Sequence, residues 1–153
     1  LAHAGWLPGP ILDSAQILDA FAGTGALGLE ALSRGGSHAV FIEHDRRAAD
    51  TCRQNIAALK EENRTVIITA DATSMPPRPH NIAPRTLVFL DPPYGKNLGV
   101  KALTGLAERG WLAPGAVCIL EMAAKAPEET PDGFTMHDER HYGIALIRFI
   151  TWS

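Results

Sequence analysis

The chain has 153 residues, enough for one compact domain and too few for two domains of ordinary size. Apolar residues make up 46% and charged residues 20%, which is typical of a globular protein that forms its core without disulfides or a structural metal. The sequence contains no apolar run of membrane-spanning length and no secretory signal pattern. The formal net charge of −3 is unusual for a protein that binds a polyanion, although it does not exclude a basic face.

The cysteines and histidines give no sign of metal or disulfide chemistry. Cys52 and Cys118 are far apart in the sequence, and we expect both to be buried thiols in a reducing compartment. The six histidines form no ligand motif, so we predict that no metal is bound. We also expect a cytoplasmic monomer with a single domain over residues 1–153.

The predicted elements alternate between strands and helices. Residues 1–6 have the pattern of a helix end, so we expect an N-terminal segment to precede Leu1, and Pro8 and Pro10 then interrupt a lead-in over residues 1–15. After this lead-in, short apolar runs alternate with amphipathic stretches. The predicted strands span residues 16–21, 38–43, 65–70, 86–90, 116–122, 134–137 and 144–152. The predicted helices span residues 26–33, 46–60 and 98–109.

This order predicts an α/β fold of the Rossmann-like, doubly wound type. Strands with continuous apolar centres that alternate with helices indicate a mostly parallel sheet covered on both faces. The last two strands meet at Tyr142 and Gly143, which predicts a closing hairpin and one antiparallel strand. The proline-rich segment 72–85 predicts a loop with little or no helix. The helix over residues 46–60 is predicted to face the core with Ala49, Cys52, Arg53, Ile56 and Leu59.

A glycine-rich turn follows the first predicted strand. Gly23, Gly25 and Gly28 match the G-x-G-x-x-G spacing between a strand and a helix. Glycine lets the backbone turn tightly and approach a ligand, and the helix N-terminus behind the turn favours an anionic group. The turn therefore predicts a site for a nucleotide-like cofactor, with Gly28 assigned to close packing of the helix on the sheet. Glycines required only for packing are the alternative.

Acidic residues lie at or just after the ends of the first three predicted strands. Glu43 has the position of an acid that accepts hydrogen bonds from both ribose hydroxyls of an adenosine, although a solvated acid would look the same. NAD and S-adenosylmethionine would both satisfy the glycine turn and Glu43. Asp19 ends a buried strand and needs a partner, which the ammonium group of S-adenosylmethionine would supply and NAD would not. Asp71 is a candidate acceptor for the adenine amino group, or alternatively the acceptor of a local turn.

The tetrad Asp91-Pro92-Pro93-Tyr94 follows the fourth predicted strand. The two prolines stiffen the turn and remove two N–H donors, which leaves the Asp91 carboxylate and the Pro92 carbonyl as acceptors. Acceptors of this kind draw the amino group of an aromatic base towards a nucleophilic geometry, and Tyr94 offers a face on which the base can stack. The tetrad therefore predicts methyl transfer to an amino nitrogen, and a turn without chemical function is the alternative.

Three segments together resemble the bacterial methyltransferases that form N2-methylguanine in small-subunit (16S) ribosomal RNA. They are L-D-A-F-A-G-T-G-A-L-G-L-E-A-L-S-R-G at residues 18–35, F-I-E at residues 41–43, and D-P-P-Y at residues 91–94. The D-P-P-Y tetrad alone is shared with adenine-N6 DNA methyltransferases. The resemblance implies a class I methyltransferase fold, with seven strands of which the last is antiparallel, and S-adenosylmethionine as the donor that leaves as S-adenosylhomocysteine.

The resemblance also implies roles for single residues. Asp91, Pro92 and Tyr94 would hold the guanine as the catalytic set, and small-subunit ribosomal RNA or the assembling 30S particle would be the partner. The cofactor site would consist of Asp19, Phe21, Gly23, Thr24, Gly25, Glu43, His44, Asp71 and Ala72. Members of that family carry a basic N-terminal segment that helps to bind RNA, and this sequence lacks it. We therefore expect the chain to bind the cofactor but to methylate RNA poorly.

Three other functions stay open from the sequence alone. An adenine-N6 or other amino methylase acting on DNA, RNA or protein would use the same acceptors. An NAD-dependent oxidoreductase would use the same glycine turn and Glu43. A non-catalytic RNA-binding or assembly protein would keep the fold, but it would have no obvious use for the D-P-P-Y tetrad.

Overall fold

The computed structural model describes residues 9–94 and 96–153, which contain a seven-stranded sheet and four α-helices. The strands are β1 (Gln16–Asp19), β2 (His38–Ile42), β3 (Thr65–Ile68), β4 (Arg85–Leu90), β5 (Leu112–Ala123), β6 (Phe134–Tyr142) and β7 (Ala145–Trp152). The helices are α1 (Gly9–Leu12), α2 (Ala26–Ser33), α3 (Arg46–Ala58) and α4 (Leu98–Glu108). Residues 1–6, for which the sequence suggests the end of a helix, lie outside the described part of the chain.

The sheet has the order β3-β2-β1-β4-β5-β7-β6. Its first five strands in this order are parallel, and β7 is antiparallel to both of its neighbours. The predicted α/β class and the antiparallel last strand are therefore confirmed. Because the chain reverses its direction of travel across the sheet between β1 and β4, a crevice opens beyond the carboxyl ends of these two strands.

Two apolar layers cover the sheet. On one face, Phe41, Phe89 and Ile17 of the central strands are fully buried in one cluster with residues of α1, α2 and α3. On the other face, Val88 and Leu90 are buried in a second cluster with residues of α4 and of the segment 72–85. Both layers hold the central strands rigidly, which fixes the direction in which their carboxyl ends point.

The segment between β3 and β4 is a loop, as predicted. Residues 69–84 contain no helix or strand. The indole Nε1 of the buried Trp111 donates to the carbonyl of Pro76 at 2.8 Å, and Arg78 Nε donates to the carbonyl of Gly110 at 2.8 Å. These bonds hold the loop against the end of α4 and the start of β5, where a helix would otherwise be expected to cover the sheet.

Several predicted boundaries were wrong. Strand β5 begins at Leu112 instead of residue 116, and β6 extends to Tyr142 instead of residue 137. Strand β6 lies at the edge of the sheet with almost every side chain exposed, so it shows no apolar alternation that could reveal its length. Two residues assigned to the inner face of α3 were also wrong: Leu59 is 60% exposed, and Arg53 is at the surface, paired with Asp50 at 2.9 Å.

Helix α2 packs unusually close to β2, and glycine makes this possible. A Cβ atom at Gly28 would lie 2.5 Å from Cε1 of Phe41, whose side chain is fully buried. A Cβ at Gly25 would lie 2.5 Å from Sγ of Cys52. The geometry agrees with the packing role predicted for Gly28 and extends it to Gly25.

Replacing Gly28 with alanine should destabilise the fold. The added methyl collides with the Phe41 ring, and overpacking of this kind lowers the free energy of unfolding by roughly 1–3 kcal/mol. Gly105, on α4, is the matched control because a Cβ there meets nothing within 4 Å. Gly105→Ala should stabilise the protein by up to about 1 kcal/mol. Urea unfolding of both variants measures the difference, and equal effects at the two sites would contradict the packing argument.

Candidate active site

Four carboxylates lie along the carboxyl edge of the sheet. Asp19 ends β1, Glu43 follows β2, Asp91 follows β4, and Glu121 lies near the end of β5. Parallel neighbours bring these ends together, since β1 pairs with both β2 and β4, and β4 pairs with β5. The first three were predicted as site residues, whereas Glu121 was not.

The glycine turn lies at the centre of this edge. Gly23 has a φ of +55°, and a Cβ there would meet nothing within 4 Å, so the backbone faces open space. The amide nitrogen of Gly23 donates to Glu43 Oε1 at 2.9 Å, and Asn55 Nδ2 donates to the carbonyl of Thr24 at 2.9 Å. The turn is thus held from β2 and α3 while its outer surface is open to a ligand.

Glu43 supports the backbone on two sides. Its Oε1 accepts from Gly23, and its Oε2 accepts from the amide of Asp45 at 2.7 Å. His44 Nδ1 lies 3.7 Å from Oε2, with its ring 75% exposed. An ionised carboxylate has about four acceptor positions, so these two bonds leave capacity for ligand hydroxyls on Glu43.

Asp19 is the buried acid of the group. Its side chain is 3% exposed, and its Oδ2 accepts from the amide of Gly28 at 3.1 Å. Burial raises the pKa of Asp19 to about 7, and repulsion from Asp91 and Glu43 adds to the rise, although the Gly28 bond lowers it. The structure therefore brings three of the predicted site acids into one electrostatic cluster that favours a cation.

Three other residues were predicted to bind the cofactor: Phe21, which follows β1, and Asp71 and Ala72, which follow β3. Asp71 Oδ1 accepts from both the amide and the hydroxyl of Thr73, at 2.9 and 2.8 Å, which is the local turn left open as an alternative. These bonds lower the pKa of Asp71. Ala72 is buried, and Phe21 is half-buried against the α4 side of the core. Contact of these residues with a cofactor stays a prediction.

The predicted acceptor tetrad is tied to the neighbouring strand. The Tyr94 hydroxyl donates to Glu121 Oε2 at 2.9 Å, while 44% of the side chain remains exposed. Desolvation raises the pKa of Asp91, and the nearby charge of Glu121 adds to this effect. Burial alone would raise the pKa of Glu121, but hydrogen bonding, including the bond from the Tyr94 hydroxyl, lowers it overall. Asp91, Tyr94 and Glu121 therefore form one interacting group at the ends of β4 and β5.

Glu121 is the site residue that sequence reasoning missed. The signal was available, because a single acid interrupts the apolar run Cys118-Ile119-Leu120 and Met122 near the end of a predicted strand. Asp19 has the same pattern. Within residues 9–94 and 96–153, no set of three or more His, Cys, Asp or Glu side chains is arranged to hold a metal ion. No helix in the same ranges is long and apolar enough to cross a membrane.

A sheet of this order, with a glycine turn after β1 and acceptors after β4, defines the class of Rossmann-like methyltransferases. Residues 5–151 match the model of the family described as conserved hypothetical protein 95. The chain therefore belongs to this family.

Curated relatives agree with this assignment. The chain is 35% identical over 144 residues to the ribosomal RNA small subunit methyltransferase D of Haemophilus influenzae. The aligned region covers 94% of this chain and 74% of the relative. It is 37% identical over 146 residues to the protein of the same name from Escherichia coli. That aligned region covers 94% of this chain and 71% of the relative. The resemblance to small-subunit RNA methyltransferases and the prediction of an enzyme are thus confirmed.

Solved structures share the fold closely. A candidate methylase from Haemophilus influenzae superposes with a TM-score of 0.83 at 34% identity, over 94% of this chain and 89% of that one. A candidate methyltransferase from Escherichia coli has the same TM-score at 32% identity, over 94% and 79% of the two chains. The chain therefore shares the fold of these two solved structures.

The raised pKa of Asp19 predicts a pH-dependent stability of the protein without ligand. The pKa rises from 3.8 to about 7 on folding, so stability from protonated Asp19 is complete below about pH 4 and is lost as the pH approaches 7. Asp19→Asn cannot ionise. We expect the melting temperature of Asp19→Asn to increase relative to that of the wild type as the pH rises from about 4 to about 7. Above that range the difference in melting temperature should stay constant.

Thermal unfolding of both proteins between about pH 4 and pH 8 measures this effect. The control is Asp132→Asn, which removes one negative charge at the opposite edge of the sheet, before β6. A difference in melting temperature between Asp19→Asn and the wild type that does not change with pH would show that Asp19 is ionised throughout this range. Burial would then not raise the pKa of Asp19.

Proposed function

We propose that this domain transfers a methyl group from S-adenosylmethionine to the exocyclic N2 of a guanine in small-subunit ribosomal RNA. One observation carries the proposal: Asp19 pairs with Phe89 of β4 in parallel register, so Asp91, two residues beyond Phe89, lies beside the start of the glycine turn. Donor and acceptor sites would therefore be adjacent. The names of the curated relatives support small-subunit RNA as the substrate.

The residues present suit S-adenosylmethionine, which would supply an electrophilic methyl group on a positively charged sulfur. The buried Asp19 would bind the ammonium group. The positive charges of the ammonium and of the sulfur would offset the electrostatic repulsion of Asp19 by Asp91 and Glu43. Glu43 would accept from the ribose hydroxyls, and the open backbone at Gly23 would allow close approach. The rest of the cofactor site would comprise Phe21, Thr24, Gly25, His44, Asp71 and Ala72.

The acceptor group would prepare the amino nitrogen for attack. Its lone pair is delocalised into the base, and acceptors for its N–H groups favour the pyramidal form reached in the transition state. The Asp91 carboxylate and the Pro92 carbonyl would serve as these acceptors, and the Tyr94 ring would stack on the base. Once the nitrogen had gained the methyl group, with the sulfur keeping the electron pair of the former S–C bond, one N–H proton would have to leave. Asp91, with its raised pKa, would take that proton.

The partner would be ribosomal RNA or an assembling small subunit, in the cytoplasm, and the active form would be a monomer. The formal charge of −3 argues that few phosphate contacts come from this chain as a whole. Transfer by this chain alone should accordingly be slow, and its RNA binding should depend only weakly on salt, because few phosphate contacts release few counterions.

The cofactor assignment predicts selective binding. S-adenosylhomocysteine should raise the melting temperature, whereas NAD should leave it unchanged, because only the former carries an ammonium group for Asp19. The shift should be larger at about pH 8 than at about pH 6, since Asp19 must ionise to bind the ammonium and its pKa is about 7. Differential scanning fluorimetry measures both effects. Stabilisation by NAD instead would favour the oxidoreductase alternative.

The acceptor assignment predicts loss of transfer without loss of cofactor binding. Asp91→Ala should reduce methyl transfer to small ribosomal subunits by roughly a hundredfold or more, while S-adenosylhomocysteine still binds. Radiolabelled transfer followed by nucleoside identification gives both the rate and the product, with Asp132→Ala as the control. Full activity of Asp91→Ala would reject the acceptor role, and N6-methyladenosine as the product would reject guanine.

A further inference from the structure

A second acceptor lies beside Asp91. Leu90 of β4 pairs with Leu120 of β5 in parallel register, so the residues that follow them, Asp91 and Glu121, are neighbours across the ladder. Side chains at paired positions of a parallel ladder lie on the same face of the sheet, and each of these carboxylates shifts the pKa of the other. The two side chains therefore form a pair of neighbouring acceptors.

Glu121 is held in a defined orientation. The Tyr94 hydroxyl donates to Oε2 at 2.9 Å, and β5 lies between β4 and β7 in the sheet, with Glu121 paired to Ile147 of β7. A pocket of about 100 Å³ is lined by Pro92, Tyr94 and Glu121, among others. Glu121 thus faces space next to the aromatic ring on which a base would stack.

Two neighbouring acceptors can bind a base that has two neighbouring N–H donors. Guanine carries N1–H directly beside its N2 amino group, so its edge offers two neighbouring donors. Adenine and cytosine carry a ring nitrogen with a lone pair beside the amino group, which a carboxylate would repel. A site built from paired acceptors rejects an analogue that lacks one donor, because a partly desolvated acceptor is left without a partner.

We propose that Glu121 is a specificity-determining residue that accepts the N1–H of guanine while Asp91 accepts from the N2 amino group. This inference rests on the proposed function and deepens it, since it names the group that selects guanine among the bases with an amino group. Tyr94 then has two tasks: its ring stacks on the base, and its hydroxyl orients Glu121.

The test compares two bases that both carry the reacting amino group. 2-Aminopurine has an amino group at the same ring position as guanine, but its N1 is an acceptor without hydrogen. RNA prepared by splint ligation carries guanine or 2-aminopurine at the nucleotide that the wild-type protein methylates, in reconstituted small subunits. The readout is the ratio of kcat/KM for the two bases, measured with radiolabelled S-adenosylmethionine.

Glu121→Gln should narrow this ratio. The glutamine amide can donate to N1 of 2-aminopurine, and it no longer offers a charged acceptor to guanine. We expect wild type to prefer guanine by at least about tenfold, and the variant to lose most of that factor. The intrinsic difference in amine reactivity between the bases cancels when the two proteins are compared. Glu139→Gln on β6 is the matched control and should keep the wild-type ratio.

The outcomes separate the inference from the proposed function. An equal loss on both bases in Glu121→Gln would mean that Glu121 only supports Tyr94, and it would overturn the inference. Wild-type protein that methylates no guanine would instead reject the proposed function. Thermal unfolding and S-adenosylhomocysteine binding check that Glu121→Gln is folded. If it is not, Tyr94→Phe, which keeps the ring, should lower the ratio about twofold to tenfold, and an unchanged ratio would overturn the inference.

Discussion

Mutual repulsion among carboxylates at one edge of the sheet is the constraint on which the site depends. Parallel strands end on the same side, so acids that end β1, β2, β4 and β5 are forced together whatever their separation along the chain. Asp19 bears most of the cost, because it is buried and feels both Asp91 and Glu43. Such an arrangement persists only if the surrounding core is rigid, and the two apolar layers on either face of the sheet provide that rigidity.

The same edge links stability to ligand binding. The bond from the Gly28 amide to Asp19 ties the first turn of α2 to the end of β1, and the bond from Gly23 to Glu43 ties the glycine turn to β2. Each acid therefore has a structural task in addition to the task proposed for it with a ligand. Substitution of Glu43 would disturb the shape of the turn as well as any contact with ribose, so binding data on such a variant need a structural control.

The alternation of strands and helices could be predicted from the sequence, because short apolar runs such as residues 39–42 favour a covered strand. Helix α2 was predicted with its observed bounds, since glycines flank it on both sides. The length of β6 could not be predicted, because an exposed edge strand needs no apolar pattern. Glu121 was missed for a different reason: its neighbour Asp91 lies 30 positions earlier, and only the register of β4 with β5 brings the two together.

The insertion of β7 between β5 and β6 has a consequence for biosynthesis. Strand β6 has β7 as its sheet neighbour and is separated from β5 by it, so β6 cannot join the sheet when it leaves the ribosome. Strand β7, the partner of β6, is translated after β6. The long antiparallel pairing of β5 with β7 can likewise form only after β7 has been translated. The five parallel strands can assemble on the nascent chain, whereas this half of the sheet must close in a late step that non-local pairing makes slow. Until then, the unpaired margin of β5 is open to pairing with another chain.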